Sequence, residues 1–401
     1  MRKARWLVSA LSAIALATGG LVGSASTALA ALPNTPDATW MTNGAVWSII
    51  RSGDYIYVGG QFTRVRELPP GVVGGDSFAA NGLARFDAVT GVGDPTWTPD
   101  ISWGSYVSTK RPIVYALAAA GGDIFVGGDF GAIDGQARTN FGAVREATGA
   151  VDPGVTAAIG VLGSKSVRAL TASSDTVYAG GHFTTVDTVG RRHLAAFSLD
   201  GALDLDWRPK TDKRALSFAW DCSRSSLFVG GQFRRAAGTG GAFVPRETIA
   251  RFDPDSGAML SWAVPPGTIP NDQKAYDMSA TCEVLGVGYG GRNFASAFDV
   301  TDGVGEELWR DYTAGNVQTV AIMGDDLVIG GHFSQVNHER RIRIASVDLA
   351  TGALTSWNPE VDGQFYGPWD LLVTGDRLYV GGFFTSVAGS PQYFFARFTE
   401  A

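Results

Sequence analysis

Four carboxylates in this 401-residue chain stand out as chemically useful: Asp129, Asp277, Glu360 and Asp370. Two of them held within about 5–10 Å would support glycosidic cleavage, one carboxyl protonating the leaving oxygen while the other attacks or activates water. Their spacing does not single out a pair. Beside them, Trp47, Tyr115, Arg168, Tyr276, Gln318 and Trp369 each stand near the start of an apolar segment. Trp103, Tyr106, Phe365 and Tyr366 lie in longer, more polar stretches. Aromatic faces mixed with Arg, Gln and Asp suit sugar rings or peptides, which they hold by stacking and hydrogen bonds. The plainer alternative is that the early aromatics pack between structural units. We therefore read these residues as a ligand-binding set and expect no catalytic residue.

Other chemistries lack their residues. No H-E-x-x-H, nucleophile elbow or EF-hand loop occurs. The repeated Gly-Gly is not a phosphate loop, because no Lys-Ser/Thr follows it. His182 and His332 fall at equivalent points of distant repeats, a poor arrangement for shared metal ligation, and a copper or quinone oxidoreductase would need groups that are missing. No metal and no cofactor are expected.

The elements that must position these residues are repeats. An apolar strand, a tight polar turn and a strand ending in Gly-Gly recur seven times: "GDYIYVGGQF", "GDIFVGGDF", "SDTVYAGGHF", "RSSLFVGGQF", "EVLGVGYGGRNF", "DDLVIGGHF" and "DRLYVGGFF". The first glycines are read as Gly59, Gly127, Gly180, Gly230, Gly290, Gly330 and Gly381, spaced 40 to 68 residues apart. A second phrase follows each, clearest in "LARFDAVTGVGDPTW", "IARFDPDSGAMLSW" and "IASVDLATGALTSW". It reads as a third strand, a D-x-x-[TS]-G turn in which Asp accepts turn amides and Gly takes positive φ, and a fourth strand carrying Trp. With 53 glycines and no long 3.6-residue periodicity, the chain is predicted to be an all-β, seven-bladed β-propeller of four-stranded antiparallel blades. The blades span about 46–100, 113–160, 167–212, 215–264, 275–312, 317–360 and 368–398. The seventh lacks a Trp-bearing strand, and "DATWMTNG" at 37–44 supplies it, so the N-terminal strand closes the last blade.

On these phrases the chain resembles the secreted β-propellers built of delta-60-type repeats, actinobacterial-type exported proteins. A looser likeness to kelch repeats rests on the Gly-Gly. The resemblance covers nearly all of the chain after its leader. It implies a propeller and no common activity, since many relatives look like parts of surface or secreted proteins.

The long insertions, at 64–82, 98–112, 234–247, 263–274 and 358–367, all fall on the blade face that carries the second-to-third-strand and blade-to-blade connections. Function concentrates on such loops, so the ligand is expected there. The Trp residues of the fourth strands (Trp40, Trp97, Trp207, Trp262, Trp309, Trp357) are assigned to inter-blade packing. An Arg recurring before the third strand (Arg138, Arg191, Arg246, Arg341) is assigned a structural role. Cys222 and Cys282 each precede the assigned first glycine by eight residues in neighbouring blades. On the innermost strands they would be close enough for a disulfide; the alternative is two separate thiols.

Arg2, Lys3 and Arg5 precede an apolar run and the small residues "ASTALA", a secretory signal peptide cleaved near Ala30. Removing those three charges takes Lys+Arg from 32 to 29 against 39 acids, a net charge of −10. With no basic run, nucleic acid is not an expected partner. The reading is a secreted, extracellular monomer with no integral membrane segment once the signal is removed. It is a non-catalytic binding or scaffold module for a cell-wall glycan or an extracellular protein. The alternatives are a polysaccharide hydrolase or lyase using the channel-mouth carboxylates, and a metal- or quinone-dependent oxidoreductase.

Overall fold

A computed structural model describes residues 32–106, 108–163, 167–363 and 366–400. The expected signal peptide and Phe365 therefore lie outside the described residues. Among those described there is no helix, and hence none long and apolar enough to cross a membrane.

Seven antiparallel meanders repeat along the chain. Their first strands are Ala45–Ser52, Ile113–Ala120, Val167–Ala172, Ala215–Trp220, Lys274–Ala280, Val317–Met323 and Pro368–Thr374. Each pairs with a second strand, which holds the Gly-Gly in every sheet but the fifth and pairs in turn with a third strand; in sheets one, four and six that third strand opens a D-x-x-[TS]-G turn. We number these sheets one to seven. Four strands were expected in each, but only sheet five has them, its fourth being Glu307–Tyr312. In sheets one, two, three, four and six the outer segment touches the third strand through one isolated bridge, such as Phe86 to Gly93 or Val347 to Leu354. It then turns away; in sheets one, three, four and six a Trp three or four residues further on fills the seam with the next sheet, and in sheet two, which has no such Trp, Val155 joins the cluster with sheet three. Trp97, Trp207 and Trp262 are fully buried there. Trp97 donates to the Arg145 carbonyl, Trp262 to Asp299 and Trp309 to Leu349, each on the following sheet.

The core is divided into seven clusters, and each belongs to one pair of sheets. Tyr57 and Trp97 of sheet one pack with Val114, Val126 and Phe130 of sheet two; Val46 and Ile49 of sheet one pack with Tyr379 and Phe395 of sheet seven. The glycines make these seams tight. A Cβ on Gly59 would lie 2.5 Å from Val114, on Gly127 2.5 Å from Val167, on Gly288 2.8 Å from Val317, and on Gly381 2.6 Å from Val46. The first glycine of the motif is thus where the first strand of the next sheet rests. The second faces its own sheet: a Cβ on Gly60 would meet the Ala45 carbonyl at 2.1 Å, and one on Gly331 the Asn316 carbonyl at the same distance.

Sheet five corrects the sequence register. Its seam glycine is Gly288, paired with Asp277 as Gly59 is with Ser48. Gly290, assigned from "YGG", pairs with Lys274, and Tyr289 fills the second position. Cys222 and Cys282 are nonetheless disulfide-bonded, with Cα atoms 4.9 Å apart. They sit in the turns after the first strands, not on those strands. The sheet-four turn between Trp220 and Leu227 is two residues longer than that between Ala280 and Leu285, which offsets the two-residue register error.

The N-terminal segment does not form a long strand. Met41–Thr42 pairs with Arg64–Arg66. Just before it, Asp37 donates its amide to the Arg397 carbonyl, and Arg397 Nε donates to Asp37 at 2.8 Å. Asp94 and Arg85 make the same two contacts within sheet one. Trp40 follows Asp37 by three residues, as Trp97 follows Asp94, and joins the cluster between sheets seven and one. Residues 37–40 therefore repeat on sheet seven the geometry of an outer segment.

The recurring arginines are structural. Arg138, Arg191, Arg246 and Arg341 each donate one guanidinium nitrogen to the preceding carbonyl and the other to a carbonyl of the outer segment: Asp152, Asp204, Leu260 and Thr355. The turn aspartates act as expected, with Asp87 accepting the Val89 and Thr90 amides.

Candidate functional site

A regular strand alternates its side chains between two faces, and one inserted residue breaks that alternation and re-aims a side chain. All seven first strands carry such an insertion at the same point. The register slips at Trp47, Tyr115, Arg168, Leu216, Tyr276, Gln318 and Trp369. Six of these were singled out in the sequence; Leu216 was not, because an aliphatic residue in an apolar strand gives no signal. All seven line one cavity of about 220 Å³, together with Asp277 and Asp370. The structure thus brings together eight of the twelve proposed ligand-binding residues.

One side of the cavity is an aromatic arc. Trp369 and Trp47 meet edge to face with ring centroids 4.3 Å apart, and Trp47 meets Tyr115 at 5.7 Å. The Arg168 guanidinium lies 3.7 Å from the Tyr115 ring centre, a cation–π contact. Burial pushes its pKa down, and no described carboxylate is in ion-pair contact with it. Trp47 Nε1 and Gln318 Oε1 are buried without a hydrogen-bond partner in the protein. A buried donor and a buried acceptor in the lining of one cavity, with sheet seven between them, call for a polar ligand or water.

The residue after each insertion does a different job. The first strands leave one edge open, and its amides need acceptors. Ser48 accepts the Leu117 amide at 3.1 Å, Asp277 the Val320 amide at 3.0 Å, and Asp370 the Ile49 amide at 2.5 Å. Each acceptor reaches the next sheet, from one to two, five to six and seven to one. Asp277 also accepts the Thr319 hydroxyl. Burial pushes the Asp277 carboxyl up to about 6 despite these bonds. Asp370 is raised well above the usual carboxylate range, first by burial and then by repulsion from Asp277.

The remaining proposed residues are elsewhere. Tyr366 stands 5.9 Å from Trp369 and is exposed beside the cavity. Trp103 and Tyr106 pack on each other at 5.4 Å, with Trp103 donating to the Lys110 carbonyl. They form their own loop cluster and do not line the cavity. Of the other candidate carboxylates, Asp129 accepts the Gly163 amide and Glu360 pairs with Arg340. No cluster of three or more metal-ligating side chains occurs among the described residues.

No family model matches this chain, and no curated protein matches it. Solved structures do. The WD40 β-propeller domain of Doa1 aligns with a TM-score of 0.55 at 10% identity, over 91% of this chain and 97% of that one. The computationally designed Ika8 protein aligns with a TM-score of 0.50 at 12% identity, over 91% and 100%. At such identities the likeness carries the fold alone. With the repeated meanders and the sheet-to-sheet seams, it defines the class: the chain is an all-β protein with a β-propeller fold.

Proposed function

We propose that the chain is a secreted seven-bladed propeller, closed by residues 37–40, that works as a non-catalytic binding module. The sheets numbered above are its blades, and a glycan ring docks at the mouth of its central channel. The carrying observation is the set of seven strand insertions. Each spends one residue of a regular strand to turn a side chain into a shared cavity, and packing alone does not require that. The residues so turned are an aromatic arc, a guanidinium without a carboxylate partner, and a glutamine with a free acceptor, which together suit a polyhydroxylated ring. The cavity holds one ring and not a folded partner. Export follows from the leader and accords with the Cys222–Cys282 disulfide. The delta-60-type assignment rests on the repeated phrases. We take the protein to act as a monomer on a cell-wall glycan.

A hydrolase reading would use Asp277 and Asp370. Both carboxylates are occupied as acceptors for amides of the neighbouring blade, which favours binding over bond cleavage. A panel of cell-wall preparations and soluble glycans decides the matter. Wild-type protein is expected to be retained on at least one. Trp47→Ala and Trp369→Ala should each weaken that retention roughly tenfold, the loss of one or two stacking contacts, while the fold persists by circular dichroism. Equal retention of the variants would remove the proposal. Release of reducing ends by wild-type protein, lost in Asp277→Asn, would favour the hydrolase.

A further inference from the structure

A second cavity, of about 550 Å³, opens between sheets three and four, away from the channel. Its wall is basic although the protein as a whole is acidic. Arg191, Arg192, Arg208 and Lys210 line it, and no carboxylate does. Arg191 is committed to the Gly190 and Asp204 carbonyls. The other three are in ion-pair contact with no described carboxylate. They come from two separate segments, so the clustering is made by the fold and not by a run of charge. Beside them stands Phe243, carried in by the long insertion 234–247. Lys210 lies 5.3 Å and Arg192 6.0 Å from its ring centre. The insertion is tied down where it leaves the sheet: Arg235–Ala237 pairs with both Lys210–Thr211 and Val244–Pro245.

Like charges gathered without counter-charges repel one another and raise the energy of the folded chain. An acidic protein has ample carboxylate to neutralise three cations and here does not use it. We propose that this cavity is a second binding site, distinct from the channel, for the sulfate, phosphate or carboxylate groups of an anionic polysaccharide. Arg192 and Arg208 present forked donors to the anion, Lys210 adds a point charge, and Phe243 supplies an apolar face beside the sugar. A cavity of this size accommodates one or two sugar units.

The test uses the full exported chain in affinity electrophoresis and calorimetry. The probes are heparin for sulfate, polygalacturonate for carboxylate, a poly(glycerol phosphate) for phosphate, and neutral dextran. Wild-type protein is expected to bind at least one anionic polymer and not dextran, and the polymer preferred identifies the anion. Raising salt from about 50 to 200 mM should weaken binding roughly tenfold or more for two to three neutralised charges. The variant Arg192→Ala/Arg208→Ala/Lys210→Ala should lose at least tenfold in affinity. Because Arg192 and Arg208 are exposed, melting should be unchanged; Arg208→Gln alone, expected to lose about threefold to tenfold, covers a triple variant that fails to fold. The salt-dependent part of the binding should persist in Trp47→Ala and be lost in the triple variant, which separates this site from the channel. Binding of no anionic polymer, wild-type affinity in the variants, or tighter binding of single-stranded DNA or polyglutamate than of any polysaccharide would overturn the proposal.

Discussion

At the scale of single residues, Asp277 shows how a carboxylate lining the cavity can be structural. It accepts the Val320 amide and the Thr319 hydroxyl across a seam, and burial raises its carboxyl to about 6. A folded carboxyl that holds its proton more tightly than the unfolded one contributes stability that is fully present below the ordinary carboxylate value. That contribution is lost as pH rises through about 6. Asp87, Asp253 and Asp348, held low by turn amides and hydroxyls, act in the opposite direction, so the whole-protein profile mixes both signs. A paired comparison isolates Asp277. Asp277→Asn keeps an acceptor for Val320 and removes the charge. It is expected to stabilise the protein by roughly 1–2 kcal/mol at about pH 7.5 and to be neutral at about pH 4. Thermal melts at both values check this; an equal effect at the two would refute the assignment.

At the scale of the strand, the Gly-Gly motif and the insertion opposite it form one joint. The first glycine receives the next sheet and the second makes room for the carbonyl displaced by the insertion. Gly59→Val is expected to cost roughly 1–3 kcal/mol through overpacking against Val114, whereas Gly190→Ala, with nothing within 4 Å, should be neutral. Chemical denaturation of the two variants gives the comparison, and similar midpoints would contradict the joint. Much of this element was legible in the sequence. Gly-Gly and D-x-x-T-G recur because each meets the same backbone demand in every copy. What could not be read was the insertion itself, since one extra residue in a strand of six to eight shifts the apolar alternation by a single step. The register of sheet five was misread for a related reason: "GVGYGG" offers four glycines, and only seam packing selects Gly288. The outer strands were overestimated because a Trp in an extended segment looks like a strand residue whether it stays in the ladder or leaves it. At the second cavity, Arg192 and Arg208 carried no repeat signature, and only the fold brings them together.

At the scale of the whole molecule, the seam between sheets seven and one is built from opposite ends of the chain. Asp370 accepts the Ile49 amide, Tyr379 donates to the Ala88 carbonyl, and Arg397 donates to Asp37 and to the Val89 carbonyl. Trp40→Ala should therefore behave like loss of an interior seam Trp and not like trimming of a frayed end, at a cost of roughly 2–4 kcal/mol. Hydrogen exchange should rise in sheets one and seven and stay unchanged in sheets three to five; a uniform rise, or none, would count against closure by residues 37–40. The row of strand insertions has a further consequence. Each sheet delivers one side chain to a fixed place on the wall of the shared cavity, while the seams are packed mainly by the buried apolar clusters. The lining reads as a seven-letter word, Trp-Tyr-Arg-Leu-Tyr-Gln-Trp. Under the proposed binding role, divergence of ligand preference among proteins with this architecture should be concentrated at these seven positions.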